Sequence, residues 1–237
     1  MSKLIISPHL DDAALSVGGL LLNDIDKNNK VLTIFNTAWT ALDNIYDYNK
    51  ITELNLREEL EVMKGLNCKH KFLNLPEALL RGYETWNDSI DMEKDTCIIN
   101  KLTKIIADEV DGFSSIYFPL AIGEHVDHLL LFNVAMKLIN SEKNIFNSVE
   151  VFFYEDLPYC TYEPITSRIE KVKKLINIEP YESCISNVIE EKCKLIYTYK
   201  SQITENDVIR VRSYSQKENN ENMYYETAWK LLKSKIN

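Results

Sequence analysis

The chain has 237 residues, 45% hydrophobic and 27% charged, which suits one sizeable packed domain with a hydrated surface. Its formal net charge is −9 and no basic run offsets it, which argues against a DNA or RNA partner. No stretch approaches the roughly 18 to 20 apolar residues of a membrane span, the opening residues are too short an apolar run for a secretion signal, and five scattered cysteines without a C-x-x-C pair fit a reduced, cytoplasmic protein.

Lys3 to Ser7 is apolar and β-prone and stops at Pro8, predicting a buried strand. Leu15, Leu20, Leu21, Leu22 and Ile25 follow helical spacing and predict a helix over 13–29. A second strand is expected over 31–35, and residues 38–50, rich in Asp, Asn and Tyr, read as a loop. Thr52 can cap a helix over 52–65, with Leu56, Leu60 and Met63 on one face. A third strand over 71–75 ends at Pro76, and a loop carrying Arg81 and Trp86 follows. Helices are expected over 92–110 and 127–139, and strands over 115–118 and 149–154. Beyond Tyr154 the rhythm loosens into helices over 167–176, 188–200 and 224–233, with a polar loop at 217–222. Tyr224, Tyr225 and Trp229 point to packing of the last segment, either within the chain or across a homo-oligomer interface. The strand-helix alternation predicts an α/β protein, a mostly parallel sheet covered on both faces, as a single domain over 1–237.

The chain has four histidines, and three of them follow predicted strands beside carboxylates. Pro8-His9-Leu10-Asp11-Asp12 leaves the first strand, and Gly123-Glu124-His125-Val126-Asp127-His128 leaves the fourth. With strand order 3-2-1-4-5, strands one and four are neighbours about 5 Å apart. The two clusters then face each other at the carboxyl ends of the strands, where open parallel sheets bind ligands. Two imidazoles and a carboxylate suit one zinc per chain, or another divalent metal, with a fourth position open to water. Of the two adjacent acids, one can bind the metal while the other holds the water and takes its proton. The remaining histidine can donate a proton or stabilise an oxyanion, tuned by Asp127.

These motifs, with Leu15-Ser16-Val17-Gly18-Gly19 after the Asp pair, resemble the PIG-L/LmbE-like zinc-dependent N-deacetylases. Weaker points of likeness are Arg57-Glu58-Glu59, Tyr154 to Tyr159 and Tyr199-Lys200-Ser201-Gln202. The resemblance implies a Rossmann-like three-layer sandwich. It implies zinc on His9, Asp12 and His128, Asp11 as general base, and His125 as acid or oxyanion group with Asp127 as its partner. It also implies an N-acetylglucosamine-type sugar as the small-molecule substrate, cleaved to an amine and acetate. Two positions depart from the family pattern. Ala13 stands where many members have Glu, and Gly123 stands where some have a Tyr that polarises the carbonyl. Tyr83, Tyr159 and Tyr162 are candidates to supply that hydroxyl.

Other readings compete with these. Asp11 or Asp12 can cap the following helix. Gly18 and Gly19 fit no G-x-G-x-x-G phosphate loop and are read as close packing or room for substrate. His70, between two lysines, is a surface residue. Arg57 either pairs with Glu61 or hydrogen-bonds substrate hydroxyls or an anionic group. At the level of function, the alternatives are a phosphoesterase-like metal hydrolase and a Rossmann-like binding module that has lost catalysis.

Overall fold

The computed structural model describes residues 2–25, 27–37, 47–141, 145–162, 164–217 and 220–232. The chain runs β1 (Lys3–Ser7), α1 (Asp12–Asn23), β2 (Lys30–Thr37), α2 (Tyr48–Gly65), β3 (Lys69–Pro76), α3 (Met92–Glu109), β4 (Ser115–Pro119), α4 (Val126–Ile139) and β5 (Glu150–Tyr154). It continues through α5 (Thr166–Lys173), β6 (Ile178–Cys184), α6 (Ile189–Ile196), α7 (Glu205–Ser215), β7 (Gln216–Lys217) and β8 (Asn220–Leu231). The sheet order is β3-β2-β1-β4-β5-β8-β6. The first five strands are parallel and β8 is antiparallel to both its neighbours. The expected order 3-2-1-4-5 holds, and helices surround a mostly parallel sheet. β1 and β4 are entirely buried, as strands covered on both faces must be. Among the described residues, no helix is long and apolar enough to cross a membrane.

The C-terminal third departs from the sequence reading. The helix expected over 224–233 is instead the long strand β8, up to Leu231. From Met223 to Ala228 its residues alternate between half-buried positions and buried ones (Tyr224, Glu226, Ala228), which is a two-residue period. Tyr224 and Trp229 pack within the chain, and the Trp229 indole N–H donates to Glu155 at 3.0 Å. β6 was not anticipated, because most of its residues are exposed and carry no readable alternation. Helix α7 was also missed, although Thr204 and Asp207 form a full capping box at its start. The helix expected over 188–200 stops at Ile196, which frees Tyr199 to Gln202 to turn toward α2, where Tyr199 bonds Glu59 and Ser201 bonds Asn55. Helix α2 begins four residues before Thr52, because the Asp47 side chain accepts the N–H groups of Asn49 and Lys50. Of the loop expected over 38–50, residues 38–46 lie outside the described structure.

Helix α1 connects the site to the rest of the fold. It is kinked at Val17 (φ −133°, ψ 17°). Just past the kink, the N–H groups of Gly19 and Leu20 donate to the two carboxylate oxygens of Glu226, each at 2.7 Å. Lys192 Nζ lies 2.7 Å from the same carboxylate, and both side chains are at least 97% buried. A Cβ on Gly19 would come within 2.6 Å of Ile185, so close packing is what this glycine provides. Truncating Glu226 to Ala strands a buried ammonium and two buried N–H groups. It should lower unfolding stability by about 3–5 kcal/mol, read as the shift in urea midpoint at unchanged m-value.

Candidate active site

The first motif is shaped by the end of β1. The Ser7 hydroxyl donates to the His9 carbonyl at 2.7 Å and accepts the Ala13 N–H at 3.1 Å, closing a tight turn into α1. The His9 N–H donates to Asp12 Oδ2 at 2.8 Å. Asp12 therefore opens α1 and fixes the turn with the same carboxylate that faces the histidines. The second motif leaves β4 through a loop with positive φ at Ala121 (63°), Gly123 (80°) and Glu124 (53°). His125 ends this loop as the N-cap of α4, its Nδ1 accepting the Asp127 N–H at 3.1 Å.

The two motifs meet. His9 Nδ1 lies 3.2 Å from Asp12 Oδ2, and His128 Nε2 lies 3.3 Å from the same oxygen. The ligand atoms of His9, Asp12 and His128 all fall within 4.8 Å of one another. His128 is fully buried, and its Nε2 has no hydrogen-bond partner among the described residues. A buried imidazole nitrogen without a partner is costly unless something accepts its lone pair. A divalent cation fits that place and this donor set. His9, His125 and Asp127 also lie within 4.8 Å of one another. There the donors are engaged: Asp127 receives the Ala78 N–H (3.0 Å), His9 Nε2 (3.0 Å) and Arg81 Nη1 (2.5 Å). Both groupings share His9, so among the described residues the cluster offers one complete ligand set. That disfavours two-metal phosphoester chemistry.

Electrostatics separate the roles of the carboxyl groups. Burial and the adjacent Asp12 carboxylate push Asp11 up to about 6. Burial also opposes the charge on Asp12, but His128 and His9 outweigh it and hold Asp12 well below the usual range. His128 is likewise opposed by burial, yet Asp12 and Asp156 carry it up to about 9. His125 goes the other way. Burial and the neighbouring His9 and His128 take it down to about 2, so its imidazole is neutral, with Nδ1 accepting and the proton on Nε2.

Several supporting residues were not assigned from sequence. The Asp156 carboxylate lies 2.6 Å from His128 Nδ1 and also accepts the Ile122 N–H at 2.9 Å, fixing the tautomer that presents Nε2. Arg81 is buried between Asp127 and Asp95 and lies over the Phe35 ring. Nothing in the sequence around Arg81 marks it. Only the need of a buried guanidinium for carboxylates would have pointed to it. The carboxylate of Asp127 binds His9 rather than the His125 ring, and only its backbone N–H reaches His125. Arg57 is the expected site residue that the structure does not bring in. It sits on the exposed face of α2, 72% accessible and paired with Glu53 rather than Glu61, and it does not border the cavity.

The cavity over the cluster measures about 370 Å³ and is bordered by Asp11, Asp12, His9, His125 and Tyr159. Ser201 and Gln202, from the segment freed after α6, and Asp207 of α7 border it as well. A Cβ on Gly123 would come within 2.8 Å of the Tyr159 ring, so a side chain at 123 and the present position of Tyr159 are mutually exclusive. Of the three candidate tyrosines, Tyr83 is committed to Asp95 (2.5 Å) and Tyr162 to Asp207 (3.1 Å). Tyr159 stands 5.3 Å from the His128 ring, and its hydroxyl has no hydrogen-bond partner among the described residues.

Known proteins are similar to this chain. The 2'-N-acetylparomamine deacetylase of Streptomyces fradiae is 27% identical over 216 residues, covering 87% of this chain and 75% of that protein. Among solved structures, the deacetylase of the teicoplanin biosynthesis pathway superposes with TM-score 0.78 at 21% identity over 100% of both chains. The zinc-inhibited form of teicoplanin deacetylase Orf2 superposes with TM-score 0.76, also at 21% identity and over 100% of both chains. The model of the PIG-L family, described as GlcNAc-PI de-N-acetylase, matches residues 4–139. That match spans more than half of the chain and takes in both His/Asp motifs: the chain belongs to the PIG-L family and is an N-deacetylase.

Proposed function

We propose that the protein is a zinc-dependent hydrolase that removes an N-acetyl group from an N-acetylglucosamine-type amino sugar or its conjugate. The observation that carries this reading is the convergence of His9 and His128 on one oxygen of Asp12, with Asp11 and His125 bordering the same cavity. The Streptomyces fradiae relative deacetylates 2'-N-acetylparomamine, which supports an amino-sugar conjugate over a simple amide. His9, Asp12 and His128 would hold the cation. When bound there, a divalent metal supplies Lewis-acid polarisation and lowers the pKa of water.

The chain's own groups do the rest. Asp11, adjacent to Asp12 but without its hydrogen bonds, takes a proton from the attacking water as the new C–O bond forms. Its raised pKa suits a base that must pass the proton on at neutral pH. His125 holds a proton on Nε2 and meets the oxyanion or the leaving nitrogen as a neutral donor. The C–N bond breaks, the nitrogen leaves as an amine, and acetate remains. Tyr159, which borders the cavity, offers a hydroxyl in place of the one that the family pattern would put at position 123. Burial opposes the charge on Asp127, but His9 and then Arg81 hold its carboxyl below the usual range, and Asp127 orients His9.

Purified protein reconstituted with zinc should release acetate from N-acetylglucosamine or its conjugates. A strong chelator should abolish release, and added metal should restore it. Full activity in protein shown by elemental analysis to contain no metal would defeat the reading.

A further inference from the structure

The loop that delivers His125 stores strain. Leu120, Ala121 and Ile122 are buried, and Ala121 and Glu124 take positive φ although neither is glycine. A residue with a Cβ stays in that region only where its surroundings over-determine it. The hydrogen bonds of the loop show what does so. The Leu120 N–H donates to the Tyr154 carbonyl at 3.0 Å, the Ile122 N–H to Asp156 at 2.9 Å, and the Val126 N–H to the Trp86 carbonyl at 2.8 Å. The buried Leu120 carbonyl takes its bond from α5, where Arg168 Nε donates to it at 2.8 Å.

Arg168 also reaches the helix that the loop enters. Its guanidinium carbon lies 4.4 Å from the ring centroid of Phe132, a buried residue of α4. One side chain therefore spans the start of the loop and α4. Its Nη2 is buried and has no hydrogen-bond partner among the described residues. Burial lowers its pKa from the usual value, and the carboxylates of Asp156 and Glu124 oppose that. A buried cation with an unused nitrogen is a poor way to gain stability, which points to placement of the loop as its use. One turn on, Lys171 Nζ reaches Glu124 Oε1 at 2.5 Å, but both partners are exposed and that pair contributes little.

His125 ends the loop and caps α4. The expected metal ligands are held from elsewhere. His9 and Asp12 follow β1, and His128 sits inside α4 with its own bond to Asp156. If the loop relaxes, His125 moves first. Resting on the deacetylase reading, we propose that Arg168 is a positioning residue of the reaction: it holds the strained 120–124 loop, and through it the imidazole of His125, where a proton can be donated.

Arg168→Met keeps the length of the side chain and its packing on Phe132 and removes the donor. In the zinc-loaded enzyme, kcat on N-acetylglucosamine or its conjugates should fall by about 10- to 100-fold while KM stays within about threefold. The visible spectrum of the cobalt-substituted protein reports the ligand set and should not change. Amide exchange should quicken over residues 120–126. Adding Ala121→Gly, which takes the same φ without strain, should recover about 3- to 5-fold of the lost kcat. Arg168→Lys keeps a cation for the carbonyl and should lie between, and it carries the test if the methionine variant does not fold. Lys171→Ala should cost less than about twofold. Activity kept within about twofold in both Arg168 variants, a cobalt spectrum that changes with kcat, an equal loss in Lys171→Ala, or no recovery with Ala121→Gly overturns the proposal and leaves the deacetylase reading standing. No acetate from the unaltered zinc-loaded enzyme removes the deacetylase reading, and with it the role of the loop in the reaction.

Discussion

Replacing Asp11 with asparagine should leave the protein folded and metal-loaded and lower kcat on an N-acetylated sugar by about 10²- to 10⁴-fold. The three expected ligands are untouched by the change, and Asn keeps the shape of Asp while losing the capacity to take a proton. Asp11 makes no side-chain capping bond to α1, so no helix support goes with it. Stability should move the opposite way from activity. A carboxyl group whose folded pKa is raised, here to about 6 by burial and by Asp12, is held less comfortably in its charged form. The folded state therefore carries a penalty that appears as pH rises through that value, and the amide removes it. In metal-free protein at pH 8, Asp11→Asn should show a urea midpoint equal to or above that of the unaltered chain. Metal content by elemental analysis and kcat from acetate release complete the test. Retained kcat would remove Asp11 from the role of base. A midpoint that falls together with activity would make its contribution structural.

The parts of this site that were legible in the sequence are those whose chemistry is local. His9, Asp11 and Asp12 sit within four residues at a strand end, and His125, Asp127 and His128 within another four. The sheet order that brings them together follows from simple crossover connections. What stayed hidden depends on partners more than 25 residues away: Asp156 behind His128, Arg81 behind Asp127, and Glu226 across the kink of α1. Helix α2 shows why a side chain's direction can mislead. Leu56, Leu60 and Met63 suggested one buried face, yet Leu60 is 44% exposed. The buried face runs through Ile51, Asn55, Glu59, Val62 and Met63, with Asn55 and Glu59 turned inward toward Ser201 and Tyr199. Two polar residues on the inner face disguise the apolar period. That rotation turns Arg57 outward, where it forms a salt bridge to Glu53. β8 was misread for a related reason: its ladder partners β5 and β6 lie on either side of it in space, and local spacing does not reveal them.

His128→Ala should abolish stoichiometric metal binding and activity together, which separates it from Asp11→Asn, where only activity goes. Imidazole Nε2 of His128 and Nδ1 of His9 flank one oxygen of Asp12, so removing either nitrogen leaves two ligands where three are required. The alanine also leaves Asp156, fully buried, without the ring it binds, and among the described residues only the Ile122 N–H remains on that carboxylate. Some loss of stability is therefore expected alongside the loss of metal, and it complicates a reading from activity alone. Asp156→Asn resolves this. It keeps His128 in place but weakens the bond that sets its tautomer. A change at this outer position should lower metal affinity by about 10- to 100-fold while activity returns at saturating metal. Competition with a chromophoric chelator measures both affinities directly. Unchanged affinity in His128→Ala would show that the cation sits elsewhere, and affinity lost in Asp156→Asn without recovery at high metal would make that carboxylate a structural support alone.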